Sequence, residues 1–256
     1  MNTNNHHQVN TAKRKMLQGE SVVGVSCGMG STLIAELLSH AGFDFILVDT
    51  QHGDWTDENV AHAFRYISLG SAIPMARVKW NDMGAISRLL DRGAMGIVVP
   101  MVNSADEARA AAFATRYPPR GGRSSGGNPA YFGADYAKWI NDEVFLAVQI
   151  ETVQAVEHAV DILSADGIDG CWIGPSDLAK SMGVDLDTEA GMKAHRAMIM
   201  RVLDACRKAG KIPGISGDLD ISFWLQNGFQ FVTASYDGGL MLEGAKQVFH
   251  LLGKKS

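Results

Sequence analysis

The feature that most constrains the fold is an eightfold alternation of short apolar runs and amphipathic stretches, which begins at Val22. The apolar runs occupy residues 22–27, 45–49, 73–78, 96–101, 144–151, 170–173, 212–216 and 229–235, and helical patterns separate them. Apolar residues at consecutive positions are typical of strands in a parallel sheet covered by helices. Eight such units predict an α/β fold, a closed (β/α)8 TIM barrel.

The length of the chain agrees with this prediction. The chain has 256 residues, and a barrel of this kind takes about 250. A doubly wound open sheet is the alternative, but no G-x-G-x-x-G motif follows the first predicted strand. We therefore expect a single domain over 1–256, with a flexible terminus over 1–15. A Pro/Gly/Ser-rich loop over 118–143 is predicted to be an active-site loop because of its length.

Composition and charge exclude several functional classes. The 23 basic and 28 acidic residues give a net charge of -5, so a nucleic-acid-binding face is not expected. No apolar run reaches the length of a membrane span, and the first twenty residues lack the apolar core of a signal peptide. The three cysteines form no C-x-x-C pair, which argues against a structural zinc site. We expect a cytoplasmic protein with no membrane or nucleic-acid partner.

Polar side chains follow the predicted strands at the end where barrels of this type carry their active sites. They are Asp49, Gln51, His52, Arg77, Lys79, Gln149, Glu151 and the segment Gly174-Pro175-Ser176-Asp177. Residues two apart on a strand share a face, so several of these side chains point toward one rim. Such a concentration of inward polar groups is too costly for a purely structural core.

Glu151 and Asp177 end neighbouring strands, and two close carboxylates repel unless a proton or a cation lies between them. A hard divalent ion such as Mg²⁺ would satisfy both, although the two acids could instead cap the helices that follow them. Arg77 requires an anionic partner, which could be a substrate carboxylate or a structural ion pair with Asp49 or Glu151. His52 is a candidate general base because its pKa lies near neutrality in water.

Six segments taken in order resemble one known family, the 4-hydroxy-2-oxoheptanedioate and 2-dehydro-3-deoxyglucarate aldolases, to which macrophomate synthase is related. The segments are VDTQHG (48–53), ARVKWND (76–82), VPMV (99–102), RYPP (116–119), QIET (149–152) and IGPSDL (173–178). The similarity extends from about residue 15 to the end of the chain. Each motif alone is weak, and the ordered set is specific.

The resemblance implies a class II pyruvate aldolase that depends on Mg²⁺, Mn²⁺ or Co²⁺. By the matching positions, Glu151 and Asp177 would bind the metal and Arg77 would neutralise the enolate of pyruvate. His52, with Asp91 of a neighbouring subunit, would transfer protons. The resemblance also assigns Asp49 to the catalytic group and Gln149, Ser124, Gly174, Pro175 and Ser176 to substrate binding.

The family is implied to assemble as a homo-hexamer, a dimer of trimers that exchange their last helix. Its substrates would be a 2-oxo acid (pyruvate or hydroxypyruvate) and an aldehyde, with the reaction running toward cleavage or formation of a 4-hydroxy-2-oxo acid. One residue and one segment depart from the family pattern. Gln51 stands where many members carry Glu, and residues 120–141 differ, which leaves the acceptor aldehyde open.

Three other functions fit parts of the sequence. A decarboxylase that couples to aldol addition, as in macrophomate synthase, would use the same residues. A class I aldolase would require a Schiff-base lysine, for which only Lys79 is suitably placed. A barrel that binds a 2-oxo acid without catalysis would show binding through Arg77 and no turnover.

Overall fold

A computed structural model describes residues 9–126, 132–217 and 220–254, and within these residues eight parallel strands close into a barrel. Each strand pairs with its neighbours in chain order, and β1 pairs with β8 to close the ring. The strands are β1 (Val22–Cys27), β2 (Phe45–Asp49), β3 (Ile73–Arg77), β4 (Gly96–Val99), β5 (Phe145–Ile150), β6 (Gly170–Ile173), β7 (Gly214–Ser216) and β8 (Phe231–Tyr236). The predicted (β/α)8 barrel is confirmed.

Helices surround the barrel and connect each strand to the next. They are α1 (Thr11–Leu17), α2 (Thr32–Ser39), α3 (Asp57–Ile67), α4 (Met83–Arg92), α5 (Ala105–Thr115), α6 (Tyr136–Glu143), α7 (Val153–Glu157), α8 (Ala159–Leu163), α9 (Pro175–Met182), α10 (Glu189–Ala209), α11 (Ile221–Gln226) and α12 (Asp237–Leu251). Strands β2 to β6 are buried along their whole length, which explains their apolar sequences. None of the described helices is both long enough and apolar enough to cross a membrane.

The prediction of a flexible terminus over 1–15 is wrong for the part that the structure describes, because α1 packs there against the barrel. Asn10 caps α1 and is fully buried, and Lys13 is nearly so. The Lys13 ammonium donates hydrogen bonds to the carbonyl oxygens of Asp142 and Val144, at 2.9 and 2.8 Å. Buried polar groups persist where they are partnered in this way. The first eight residues, with the His6-His7 pair, lie outside the described residues.

The long segment 118–143 runs from α5 to β5, so it lies at the end of the barrel where the strands begin. It contains α6, and none of its described residues lines the cavity at the opposite end. The described residues of this loop therefore do not line the cavity of their own subunit, and a part for the loop in a neighbour's active site stays a prediction. The length of this segment indicated a functional loop. A segment that leads from a helix into the next strand, however, lies at the amino-terminal end of the strands, away from the cavity. Residues 127–131 lie outside the described part.

The last helix, α12, is anchored at its first residue and exposed beyond it. Asp237 is the only buried residue among those described in α12. Large apolar side chains further along the helix lie open to solvent, among them Met241, Val248 and Leu251. Exposed apolar faces of this kind are typical of contact surfaces. The exchange of this helix between subunits stays a prediction.

Candidate active site

A cavity of about 410 Å³ opens at the end of the barrel where the strands finish. Its lining comes from every strand end except that of β4: Ser26, Gly28, Met29, Asp49, His52, Gly53, Asp54, Arg77, Gln149, Trp172, Gly174, Pro175, Ser176, Asp177, Ser216, Ser235, Tyr236, Asp237 and Gly238. Active sites of (β/α)8 enzymes occupy this end. Of the predicted residues, the structure brings Asp49, His52, Arg77, Gln149, Gly174, Pro175, Ser176 and Asp177 to one cavity.

Arg77, at the end of β3, points its guanidinium at the carboxylate of Asp49 on the adjacent strand. Two parallel contacts join them, from Nε to Oδ1 at 2.9 Å and from Nη2 to Oδ2 at 2.5 Å. Both side chains are buried, and the guanidinium carbon lies 5.3 Å from the centre of the Trp172 ring. Of the partners that the sequence left open, the structure selects Asp49. These two contacts hold the positively charged guanidinium in a fixed orientation at the cavity wall.

Asp49 also shapes the turn that carries His52. Its Oδ1 accepts hydrogen bonds from the backbone N–H groups of Gln51 and His52, at 3.0 and 3.3 Å. The turn closes at Gly53, where an added Cβ would lie 2.4 Å from the Asp49 carbonyl oxygen. This packing allows only glycine and brings the His52 side chain to the cavity. The Asp49 carboxylate thus positions both the Arg77 guanidinium and the candidate base, His52.

Glu151 follows β5 and is 3 % exposed. Its Oε1 accepts a hydrogen bond from the backbone N–H of Met101 at 2.8 Å, and its Oε2 accepts one from Gln149 Nε2 at 2.5 Å. Met101 holds a left-handed backbone conformation with φ of 57°, which is uncommon for a side chain of this size. Burial raises the pKa of Glu151, and the nearby negative charge of Asp177 raises it further.

Asp177 lies in the first turn of α9, and its side chain is 46 % exposed. Its Oδ1 lies 3.1 Å from the Lys180 ammonium. Neither acid acts as the helix cap that the alternative interpretation required. Gly174 occupies the N-cap position of α9, and the hydroxyl of Thr152 caps α7. Asp177 lines the cavity, whereas Glu151 is not among the lining residues.

The donor set fits a hard divalent cation. The Asp177 carboxylate lines the cavity and its charge acts on the nearby carboxylate of Glu151, and Gln149 Oε1 is buried without a hydrogen-bond donor. The described residues contain no cluster of three or more His, Cys, Asp or Glu side chains that could hold a metal. An ion in this cavity would therefore take the remaining ligands from water or substrate, as Mg²⁺ commonly does.

The segment 174–176 packs tightly against these groups. An added Cβ on Gly174 would lie 2.8 Å from Gln149 Nε2 and 2.9 Å from Glu151 Oε2, so only glycine fits. Pro175 is the first residue of α9, where a missing N–H costs no hydrogen bond. Backbone N–H groups of the first helical turn, including that of Ser176, have no partner within the helix and can bind an anion.

Five predicted residues are not among those that line this cavity. Gln51 follows β2, and Glu151 is buried against the lining residues Gln149 and Gly174.

The other three predicted residues lie elsewhere in the barrel. Asp91 is at the carboxyl end of α4 and Ser124 follows α5, so both lie at the opposite end of the barrel. The Asp91 carboxylate pairs with Arg123 at 2.6 Å. Lys79 lines a separate surface cavity between α3 and α4. Because the described lining of the main cavity contains no lysine, the structure argues against the class I mechanism.

Comparison with known proteins identifies the family of this chain. Residues 28–244 match the HpcH/HpaI aldolase/citrate lyase family. The chain belongs to this family. The 4-hydroxy-2-oxo-heptane-1,7-dioate aldolase of Salmonella dublin is 37 % identical over 247 residues, which cover 93 % of this chain and 92 % of the relative. The resemblance stated from the motifs is confirmed, and the protein is an aldolase-family enzyme.

Solved structures share the fold over nearly the whole length of this HpcH/HpaI-family enzyme. A family member from Burkholderia cenocepacia J2315 superposes with a TM-score of 0.88 at 28 % identity, covering 96 % of this chain and 100 % of that one. Macrophomate synthase superposes with a TM-score of 0.78 at 25 % identity, covering 95 % of this chain and 87 % of that one.

The sequence analysis missed several residues of the aldolase-family cavity, among them Trp172, Tyr236 and Asp237. Asp237 is buried, and its Oδ2 accepts hydrogen bonds from the backbone N–H groups of Gly28 and Met29, at 3.0 and 2.9 Å. It thereby fixes the turn after β1. Burial also raises the pKa of the adjacent Cys27 thiol, which argues against a catalytic thiolate there. The position of Asp237 directly after a strand was the available signal.

Proposed function

We propose that this enzyme is a class II pyruvate aldolase, which forms or cleaves 4-hydroxy-2-oxo acids through the enolate of pyruvate or hydroxypyruvate. The observation that carries the proposal is the arrangement of one cavity. Asp177 and Arg77 line this cavity, and Asp49 holds the Arg77 guanidinium in place. Glu151 lies buried against the lining residues Gln149 and Gly174, where the negative charge of Asp177 acts on it. The name of the Salmonella dublin relative, an aldolase acting on a hydroxy-oxo diacid, supports the same reaction class.

In this proposal Glu151 and Asp177 hold a divalent ion, Mg²⁺, Mn²⁺ or Co²⁺. Bound there, the metal supplies Lewis-acid stabilisation of negative charge on the keto oxygen of the substrate. Gln149 lines the cavity and orients Glu151 through its amide N–H, and its buried Oε1 has no hydrogen-bond partner among the described residues. The positive charge of the ion would offset the negative charges of the buried Glu151 and the half-exposed Asp177.

Arg77 places a second positive charge where the enolate oxygen forms. Because Asp49 fixes the guanidinium before substrate arrives, little reorganisation is needed as charge develops. The substrate carboxylate binds backbone N–H groups of the first turn of α9, that of Ser176 among them. These contacts orient the methyl group whose proton must be removed.

His52 is the proton-transfer residue of the proposal, paired with Asp91 of a neighbouring subunit. Since Asp91 and Ser124 lie at the opposite end of their own barrel, they can serve a cavity only across a subunit contact. A homo-hexamer built as a dimer of trimers, with α12 exchanged, would provide such contacts. The exposed apolar residues of α12 support an assembly of this kind.

Removal of divalent metal should abolish turnover. After treatment with EDTA and desalting, we expect condensation of pyruvate with an aldehyde to fall at least about 100-fold, since a Lewis acid contributes several kcal/mol. Added Mg²⁺, Mn²⁺ or Co²⁺ should restore the rate. Full activity in EDTA, together with borohydride trapping of pyruvate on Lys79, would contradict the proposal in favour of a Schiff base.

Subunit complementation tests the shared site. His52→Ala and Asp91→Ala should each be inactive alone, and co-expression should restore activity to at most about a quarter of the wild-type rate. Each mixed site then has independent, roughly even chances of receiving an intact His52 and an intact Asp91. If co-expression restores nothing while mixed oligomers form, the two residues do not act across a subunit contact.

A second reaction of the same enolate is decarboxylation of oxaloacetate, and the likeness in fold to macrophomate synthase favours it. Loss of carbon dioxide from oxaloacetate leaves the enolate of pyruvate without removal of a methyl proton. The reaction would therefore require Arg77 and the metal but not His52. Measuring both reactions on the His52→Ala variant separates enolate stabilisation from proton transfer.

A further inference from the structure

His195 is a buried histidine to which the proposed mechanism gives no role. It lies in the second turn of α10 and is 8 % exposed, and it is not among the described residues that line the cavity. Its Nε2 lies 2.8 Å from the carbonyl oxygen of Pro175, which does line the cavity. A carbonyl oxygen can only accept, so Nε2 carries a proton and donates this hydrogen bond. A direct contact therefore joins the outer helix α10 to the cavity wall.

The position of His195 is fixed by close packing at the start of α10. The hydroxyl of Thr188 caps this helix and accepts a hydrogen bond from the N–H of Gly191 at 3.1 Å. Gly191 is buried, and an added Cβ would lie 1.9 Å from the carbonyl oxygen of Asp185. Because the connection between α9 and α10 packs so closely, α10 has little freedom to move relative to Pro175.

The Pro175 oxygen does not need the histidine in order to be hydrogen-bonded. Pro175 is the first residue of α9, and a helical carbonyl accepts the N–H group four residues further along the chain. His195 is thus a second donor to the same oxygen, which has two lone pairs. The second donor adds to the polarity of the peptide group between Pro175 and Ser176.

The N–H of this peptide group belongs to Ser176, which lines the cavity. Ser176 is the second residue of α9, so its N–H has no acceptor within the helix. The C=O and N–H bonds of a trans peptide point in opposite directions, so a donor at the oxygen and an anion at the N–H lie on opposite sides of one group. Hydrogen bonds in such a chain polarise one another and become stronger by roughly 10–30 % each.

We propose that His195 is a positioning residue for pyruvate, which polarises the Pro175–Ser176 peptide group and thereby strengthens the Ser176 N–H as a donor to the substrate carboxylate. This inference rests on the proposed function, in which that carboxylate binds the first turn of α9. His195 acts from outside the cavity and does not touch the substrate. Its contribution is to the binding of the carboxylate, and the proton transfers remain with His52.

The affinity for pyruvate tests the inference. With Mg²⁺-loaded enzyme and no aldehyde, His195→Met should weaken pyruvate binding about 3- to 5-fold, since the anion loses only the added strength of one hydrogen bond. His195→Gln keeps an amide donor at a reach similar to that of Nε2 and should bind pyruvate within about 2-fold of wild type. His62→Met, at an exposed position of α3, is the matched control and should bind pyruvate like the wild type.

The affinity for metal distinguishes polarisation of the peptide group from support of α9. If His195 only kept α9 in place, Asp177 would move together with Pro175, and the affinity for Mn²⁺ would fall as well. We expect the Mn²⁺ affinity of His195→Met to stay within about 2-fold of the wild-type value. His195→Asn, whose shorter amide does not reach the carbonyl oxygen, replaces His195→Met if that variant fails to fold. Equal losses of metal and pyruvate affinity, or unchanged pyruvate affinity, would overturn the inference.

The amide signal of Ser176 reports the polarisation directly. Pro175-Ser176 is the one Pro-Ser pair in the sequence, so ¹³C at the proline carbonyl together with ¹⁵N at the serine amide selects this signal in NMR spectra. Pyruvate should shift the Ser176 amide proton downfield in the wild type and by a smaller amount in His195→Met. An equal downfield shift in the two enzymes would contradict the assigned role.

Exchange of the pyruvate methyl protons in D₂O separates the inference from the function on which it rests. Metal-dependent exchange without any aldehyde reports formation of the enolate. If exchange is absent, the proposed function fails and the inference fails with it. If exchange occurs but pyruvate leaves the Ser176 amide signal of the wild type unchanged, the carboxylate binds elsewhere and only the inference fails.

Discussion

Glu151→Gln is expected to lower kcat/KM for aldol condensation by at least about 10³-fold. The amide keeps the size of the side chain and can still accept the Met101 hydrogen bond, but it removes the buried negative charge that would hold the metal. Steady-state kinetics and calorimetric titration with Mn²⁺ measure the effect. Metal affinity should fall together with activity.

The stability of this variant provides a check on folding. Burial raises the pKa of Glu151, which means that its ionised form is disfavoured in the folded protein. A neutral amide does not carry that cost, so the metal-free variant should have a Tm at or above the wild-type value at neutral pH. Glu157→Gln, at an exposed position of α7, is the matched control. Wild-type metal affinity in Glu151→Gln would refute the assigned ligand.

Arg77→Lys is expected to lower kcat/KM by about 10²-fold, mainly through kcat. The lysine keeps one positive charge but loses the bidentate contact with Asp49, so the charge is no longer fixed where the enolate oxygen forms. Arg109→Lys, in an exposed ion pair on α5, serves as the control. Oxaloacetate decarboxylation and methyl-proton exchange should fall in parallel, because both require the same enolate.

The Arg77→Ala variant shortens the side chain further and requires its own control for folding. Arg77→Ala removes the charge entirely and should lower kcat/KM by about 10³-fold, but it leaves Asp49 buried without its partner, which typically costs 3–5 kcal/mol. The double variant Asp49→Asn/Arg77→Ala relieves that penalty and should recover stability without recovering activity. If any of these variants keeps wild-type kcat, the proposed role of Arg77 is wrong.

The sequence predicted the fold from a repeated pattern of apolar runs, and it predicted much of the site from polar residues grouped at the strand ends. Eight apolar runs predicted the barrel, since each strand is buried and reads as a continuous apolar segment. The polar residues at the ends of β2, β3, β5 and β6 predicted the charged residues Asp49, Arg77 and Asp177 that line the cavity. Their two-residue spacing placed Asp49 and Gln51 on one face, but only Asp49 is among the residues that line the cavity.

Other features depend on contacts that a linear pattern does not contain. α1 is short and polar, and it is stable because Asn10 and Lys13 find partners more than 125 positions away. The pairing of Arg77 with Asp49, rather than Glu151, is set by the direct register between β2 and β3. Serines such as Ser26 and Ser216 are common residues, so their joint position around one cavity becomes visible only after the ring closes.

The hydrogen bonds of α1 also affect the order in which this chain folds during its synthesis. Asn10 donates to the carbonyl oxygens of Met95 and Glu143, and Lys13 donates to that of Val144. α1 leaves the ribosome before these partners do, so it acquires them only after residues 143–144 have emerged. Until then, its buried polar groups must stay hydrated. Closure of this end of the barrel is thus a late event, coupled to translation of the second half of the chain.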